Sequence, residues 1–112
     1  MQIKTYKPLL IDSIKAAADL KKQRFIGLDG DYCKEGVKAF GIVDVETEKD
    51  QYVPAAISGL LLIECGGAIS AFDEITSDAE GRAIKLDNNG VSNGFALDSG
   101  VEGDIIRIVR GI

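Results

Sequence analysis

The sequence predicts an all-β protein, a small barrel or sandwich of short antiparallel strands. Thirteen glycines and two prolines are spread along 112 residues rather than bunched. They cut the chain into short apolar runs of strand length, eight or so at close spacing. Between the runs lie LDGD (residues 28–31) and DNNG (87–90), whose Asp, Asn and Gly tolerate positive φ and so reverse a chain at low cost.

Taken in order, residues 1–8 read as an extended N-terminal arm. Gln2, Lys4, Thr5 and Lys7 alternate with Ile3 and Tyr6, and Pro8 ends the arm. The remainder, 9–112, reads as one β domain. Its first stretch, LLIDSIKAAADLKKQR (9–24), carries two patterns. Leu10, Ile14, Ala17 and Ala18 fall at helical spacing, with Asp12 or Ser13 available as an N-cap. Ile11, Ser13 and Lys15 alternate as a strand does, and a lone helix among so many β runs must find a sheet face to cover. The expectation is at most one short helical turn around residues 17–22. Strands follow at 24–28 (RFIGL), 37–45 (VKAFGIVDV), 52–57, 60–64, 74–76, 82–86 (RAIKL), 95–97 and 104–110 (DIIRIVR). The acidic segment DVETEKDQYVP (44–54) reads as a surface loop with no assignable role.

Two of these elements predict their own surroundings. In EITSDAEGRAIKLD (74–87), the segments 74–76 and 82–86 form a hairpin with SDAEG as the reversal. Gly81 supplies positive φ, Asp78 bonds the backbone two residues on, and Glu80 sits in water. In DIIRIVR, Ile106 and Ile108 share one face while Ile105, Arg107 and Val109 share the other. A strand apolar on both sides is central or covered.

Composition narrows the function. The chain has no histidine, which removes the commonest general base and the commonest metal ligand together. A net charge of -5, with basic residues concentrated only at LKKQR (20–24), argues against nucleic-acid binding. No apolar run approaches the ~20 residues of a membrane helix, and the start lacks the apolar run of a secretion signal. A protein made and kept in a cytoplasm is expected, with Cys33 and Cys65 as reduced thiols. Counting an EF-hand loop from Asp78 puts Arg82 and Ala83 at its fifth and sixth positions, and counting from Asp29 puts Cys33 and Lys34 there, so neither fits. No serine elbow, Walker loop or dinucleotide fingerprint is present. Glu64, embedded in LLLIECGG, is the one acid of interest, and strand alternation points it outward. The expectation is a protein that is not an enzyme, without cofactor or metal, whose surface does the work.

The order of the phrases then matters more than any one of them. RFIGLDG (24–30), KAFGIVD (38–44), ISGLLLIECGGAISAFDEITSDAEGRAI (57–84) and NGFALDSGVEGDIIRIVR (93–110) form a series that resembles the phage capsid cement, or head decoration, protein family. The resemblance implies a small β-rich protein on the outer surface of a tailed-phage head. Its partners would be the major capsid protein and its own copies, a homotrimer or a dimer, with no nucleic acid, membrane or cofactor. It would be synthesised in a bacterial host cytoplasm and carried on the virion. Beside that resemblance, the residues themselves suggest contacts. Ile3, Tyr6 and Leu9 are candidates to add a strand to a sheet edge on the capsid. The apolar surplus of GLLLIE and DIIRIVR points to a subunit interface. The alternative is a soluble β-barrel module binding a small ligand or carbohydrate, with Glu64 and the 87–93 loop as its polar contacts.

Overall fold

The computed structural model describes residues 5–111. They contain no helix and eight strands: β1 (Lys7–Lys15), β2 (Phe25–Ile26), β3 (Gly41–Val43), β4 (Tyr52–Glu64), β5 (Ile75–Ser77), β6 (Ala83–Lys85), β7 (Phe95–Ala96) and β8 (Ile105–Arg110). Six join one antiparallel sheet, and β5 and β6 form a separate hairpin.

The spine is β4, thirteen residues long. Ala56 lies opposite both Ile11 and Ile42, and Gly59 lies opposite both Pro8 and Arg110. A strand residue has one neighbour on each edge, so β1 takes one edge of β4 while β3 and β8 meet end to end along the other. The Glu64 N–H donates to the Gln23 carbonyl at 3.0 Å, and the Gln23 N–H donates to the Val43 carbonyl at 2.8 Å. The chain before β2 thus links the far end of β4 back to β3, and the sheet curls into a half-barrel.

One expectation changes here, and another, of at most one short helical turn, is met with none. The strands predicted at 52–57 and 60–64 are one. Gly59, at φ +117°, is no turn residue: a Cβ there would stand 2.5 Å from the Lys7 carbonyl and 2.7 Å from the Leu9 nitrogen. It lies where β1 shifts register between Pro8 and Ile11, and only a residue without a side chain lets the irregular strand approach so closely. The stretch 9–24 contains no helical turn. β1 takes Lys7–Lys15 because β4 offers a free edge, and the Ala16 and Ala17 N–H groups go to the Gln51 and Gly30 carbonyls at 2.8 and 2.9 Å. Donors spent on long-range partners leave nothing to close a helix.

The core forms two clusters on opposite faces of the curled sheet. One cluster gathers Phe25, Leu61, Ile63, Ile75, Ile106 and Ile108; the other gathers Leu20, Ile26, Val43 and Val53. The neighbours Phe25 and Ile26 point to different clusters, as a strand's alternation requires. At about 1.5–3 kcal/mol for each large side chain fully withdrawn from water, these residues dominate the stability. As the alternation of DIIRIVR predicts, β8 is central, lying between β4 and β7. The hairpin β5–β6 closes one side, and its turn follows the predicted chemistry. Gly81 has φ +76°, and Asp78 Oδ1 accepts the Glu80 and Arg82 N–H groups at 2.9 and 2.8 Å. The tip is fastened to β2 by the Phe25 N–H, which donates to the Gly81 carbonyl at 2.6 Å.

A gap remains where β3 and β8 meet, and two buried polar side chains fill it. Asn93 accepts the Ala39 N–H at 2.8 Å and donates to the Val37 carbonyl at 2.9 Å. Arg110, only 6% exposed, donates to the carbonyls of Ala39, Phe40 (3.1 Å) and Ile57 (2.7 Å). Burial pulls its pKa below the usual guanidinium value. Arg110→Met retains much of the volume but orphans these carbonyls, so urea unfolding should show a loss of at least about 3 kcal/mol. A loss under about 1 kcal/mol would mean that the guanidinium is not the clamp.

Candidate functional site

β1 is an edge strand. Among the described residues its only strand neighbour is β4, and along it only Pro8 and Ile14 are even half-buried. Leu9, Leu10 and Ile11 are exposed at 80%, 51% and 45%, and Tyr52, opposite Lys15, at 70%. An open apolar edge invites another chain, and proteins blunt such edges with charge, proline or cover. Here the blunting sits mainly towards the ends. Lys7 and Pro8 stand at one, and Lys15 and the turn at 28–31 close the other through the Ala17 to Gly30 bond. Near the middle, the Ser13 N–H is occupied by the Asp12 carboxylate at 2.8 Å. Residues 9–11 stay open.

The predicted contact residues divide accordingly. Ile3 lies outside the described residues. Tyr6 is used internally: its hydroxyl donates to the Asp44 carboxylate, joining the chain before β1 to the start of the acidic loop. Burial, then the bond and the negative charge of Asp44, push the phenol pKa up, so the hydroxyl remains a donor. Leu9 is presented freely. Leu10, Ile11 and Tyr52 complete the surface, and sequence reasoning missed them because alternation alone assigns half of any strand to the core.

A second apolar row crosses the convex face of the sheet. Leu60 pairs with Val109, which pairs with Phe95. All three are half-buried, and Leu62 extends the row along β4. This is where the apolar surplus of β4 and β8 emerges.

The groups that suggested a ligand site are not brought together. Glu64 does point away from the core, between buried Ile63 and Cys65. Its carboxylate is taken by Arg24, which reaches both oxygens at 3.3 Å. Glu64 lines a hollow with Lys21, Lys22 and Glu46, whereas Asp87 and Asn89 line another with Glu35 and Thr76. A further hollow of about 560 Å³ involves neither and lies between Asp19, Tyr32 and Glu48. Cys33 and Cys65 are both buried, and burial pushes the Cys33 thiol pKa up, away from a reactive thiolate. No group of three or more His, Cys, Asp or Glu able to hold a metal occurs among the described residues.

A family model described as phage cement protein matches residues 4–110. The chain is also similar to a solved structure, the N base of head fiber gp8.5 in bacteriophage phi29. The similarity has a TM-score of 0.76 at 17% identity and covers 91% of this chain and 93% of that one. At that identity the likeness is one of fold. No curated protein matches.

The different positions of Tyr6 and Leu9 have a measurable consequence. Tyr6→Phe should lower stability by about 1 kcal/mol through loss of the Asp44 bond. Leu9→Ser, at an open position, should change it by less than about 0.5 kcal/mol. Thermal unfolding of the two variants compares them, and an equal effect would contradict the division.

Proposed function

The chain belongs to the phage cement protein family, and from that premise we propose that it binds the outer surface of a tailed-phage head and ties the major capsid protein lattice together. The observation that carries this reading is the open apolar edge of β1, with Leu9, Leu10 and Ile11 exposed on a strand that has a single neighbour. An incoming capsid segment would add a strand there, using backbone hydrogen bonds for affinity and the exposed side chains for register. The role needs no chemical step. The acidic balance of the chain favours a protein partner over nucleic acid.

A lattice repeats the same contact many times, so modest affinity at each site suffices once neighbouring copies also touch. The convex row of Leu60, Leu62, Phe95 and Val109 is the proposed contact between copies. The proposed assembly is a homotrimer, which sedimentation distinguishes from a dimer.

Heads prepared without this protein provide the test. Added back, it should saturate at a fixed number of copies per head and raise the temperature at which heads release DNA. Leu9→Asp together with Ile11→Asp should weaken occupancy by about tenfold or more, since charge is placed in a desolvated contact. Absence of binding by the unaltered chain would sink the proposal.

A further inference from the structure

Phe72, between β4 and β5, combines two features that folded chains avoid. Its φ is +74°, and it is 77% exposed. A bulky residue with left-handed φ is an outlier that persists only where its surroundings over-determine it. Here they do. The Phe72 N–H donates to the Ala96 carbonyl at 2.7 Å, and the Ala96 N–H returns to the Asp73 carbonyl at 2.9 Å. Ile69 and Gly100 exchange backbone bonds at 2.9 Å in both directions. The Ala71 N–H donates to Ser99 Oγ at 3.0 Å, and the Ser70 N–H to Asp73 Oδ2 at 3.0 Å. The loop is locked on both sides, and what it holds is an aromatic ring in water.

The surroundings of the ring indicate what would cover it. Val101, just past the Ile69–Gly100 bridge, adds a second exposed apolar side chain at 60%. The exposed charged residues of these two loops, Glu74, Glu102 and Asp104, are all acidic. Arg82 is engaged by Asp78 and Glu102, and Arg107 by Asp98. A second copy meeting this face with its own would set acid against acid, on a chain whose net charge is already -5. An apolar pocket rimmed by lysine or arginine fits it. The loop is bonded to β7, which β8 separates from β4, while β1 lies on the other edge of β4. The aromatic and the open edge strand therefore stand on opposite flanks of the sheet.

We propose that Phe72 is a preformed aromatic anchor that inserts into an apolar, basic-rimmed pocket of the head shell protein, on the flank away from β1. The inference rests on the head-binding role. It adds a second point of attachment, so that one copy bridges two places on the shell.

Phe72→Gly separates anchor from fold, because glycine adopts φ +74° without strain. The variant should unfold at the same temperature as the unaltered chain or higher, and its affinity for heads prepared without the protein should fall about tenfold or more. Binding of the unaltered chain should weaken as salt rises, and Glu102→Lys should weaken it further. Binding by Phe72→Gly equal to that of the unaltered chain overturns the anchor and leaves the head-binding role standing. A changed sedimentation of the free variant, with head binding intact, overturns the choice of partner in favour of a second copy. If the unaltered chain fails to bind heads, the role itself falls and takes the anchor with it.

Discussion

The half-barrel depends on how the junction between β3 and β8 is closed. Both strands lie on the same edge of β4, and between them the Ile57 carbonyl has no strand to pair with. The incoming residues 37–40 are equally without a regular partner for most of their polar groups. Backbone groups buried in that condition cost free energy comparable to a lost hydrogen bond each. Arg110 and Asn93 meet the need with side chains where a strand does not reach. A buried guanidinium bonded to carbonyls loses hydration, as the lowered pKa reflects. Its fork of donors reaches three carbonyls from one position, which a lysine's compact ammonium would not reproduce.

With the junction closed, the fold needs little else in the way of specialised contacts. The two core clusters are filled mainly by Ile, Leu, Val, Ala and Phe25, and the hairpin β5–β6 is fastened by its tip to β2. Apolar side chains also emerge at the surface, among other places at the edge of β1, along the row across β4, β8 and β7, and on the locked loop carrying Phe72. The proposed role, joining a shell to neighbouring copies, calls for several adhesive surfaces. The distribution of exposed apolar groups around the sheet fits that requirement. Acidic residues are dispersed among them, in keeping with the net charge of -5.

Much of this was legible in the chain. The hairpin 74–87, its Asp78 bonds and the φ of Gly81 follow from turn preferences that operate over four or five residues. The central place of β8 follows from its two-sided apolar pattern, and the ordered series of phrases pointed to the cement family. The less legible parts are non-local. Gly59 reads as a break but lies inside β4, because β1, brought in from far along the chain, presses against it. Residues 9–24 carry helical spacing, yet the free edge of β4 takes the first half as strand and distant carbonyls take the donors of Ala16 and Ala17. Of the candidate contacts, Leu9 is open, whereas Tyr6 is bonded to Asp44, a partner no sequence spacing indicates.

The sequence by itself determined which segments extend, where they reverse and which family they compose, since these rest on local backbone energies and on the order of residues. The tertiary structure decided which apolar side chains stay in water and which charged groups are already paired. Glu64 is answered by Arg24, Arg110 is buried with its donors on main-chain carbonyls, and Phe72 is held outward by loops on either side. Exposure and pairing depend on what the rest of the chain places within a few ångströms, and periodicity along one strand contains no record of that.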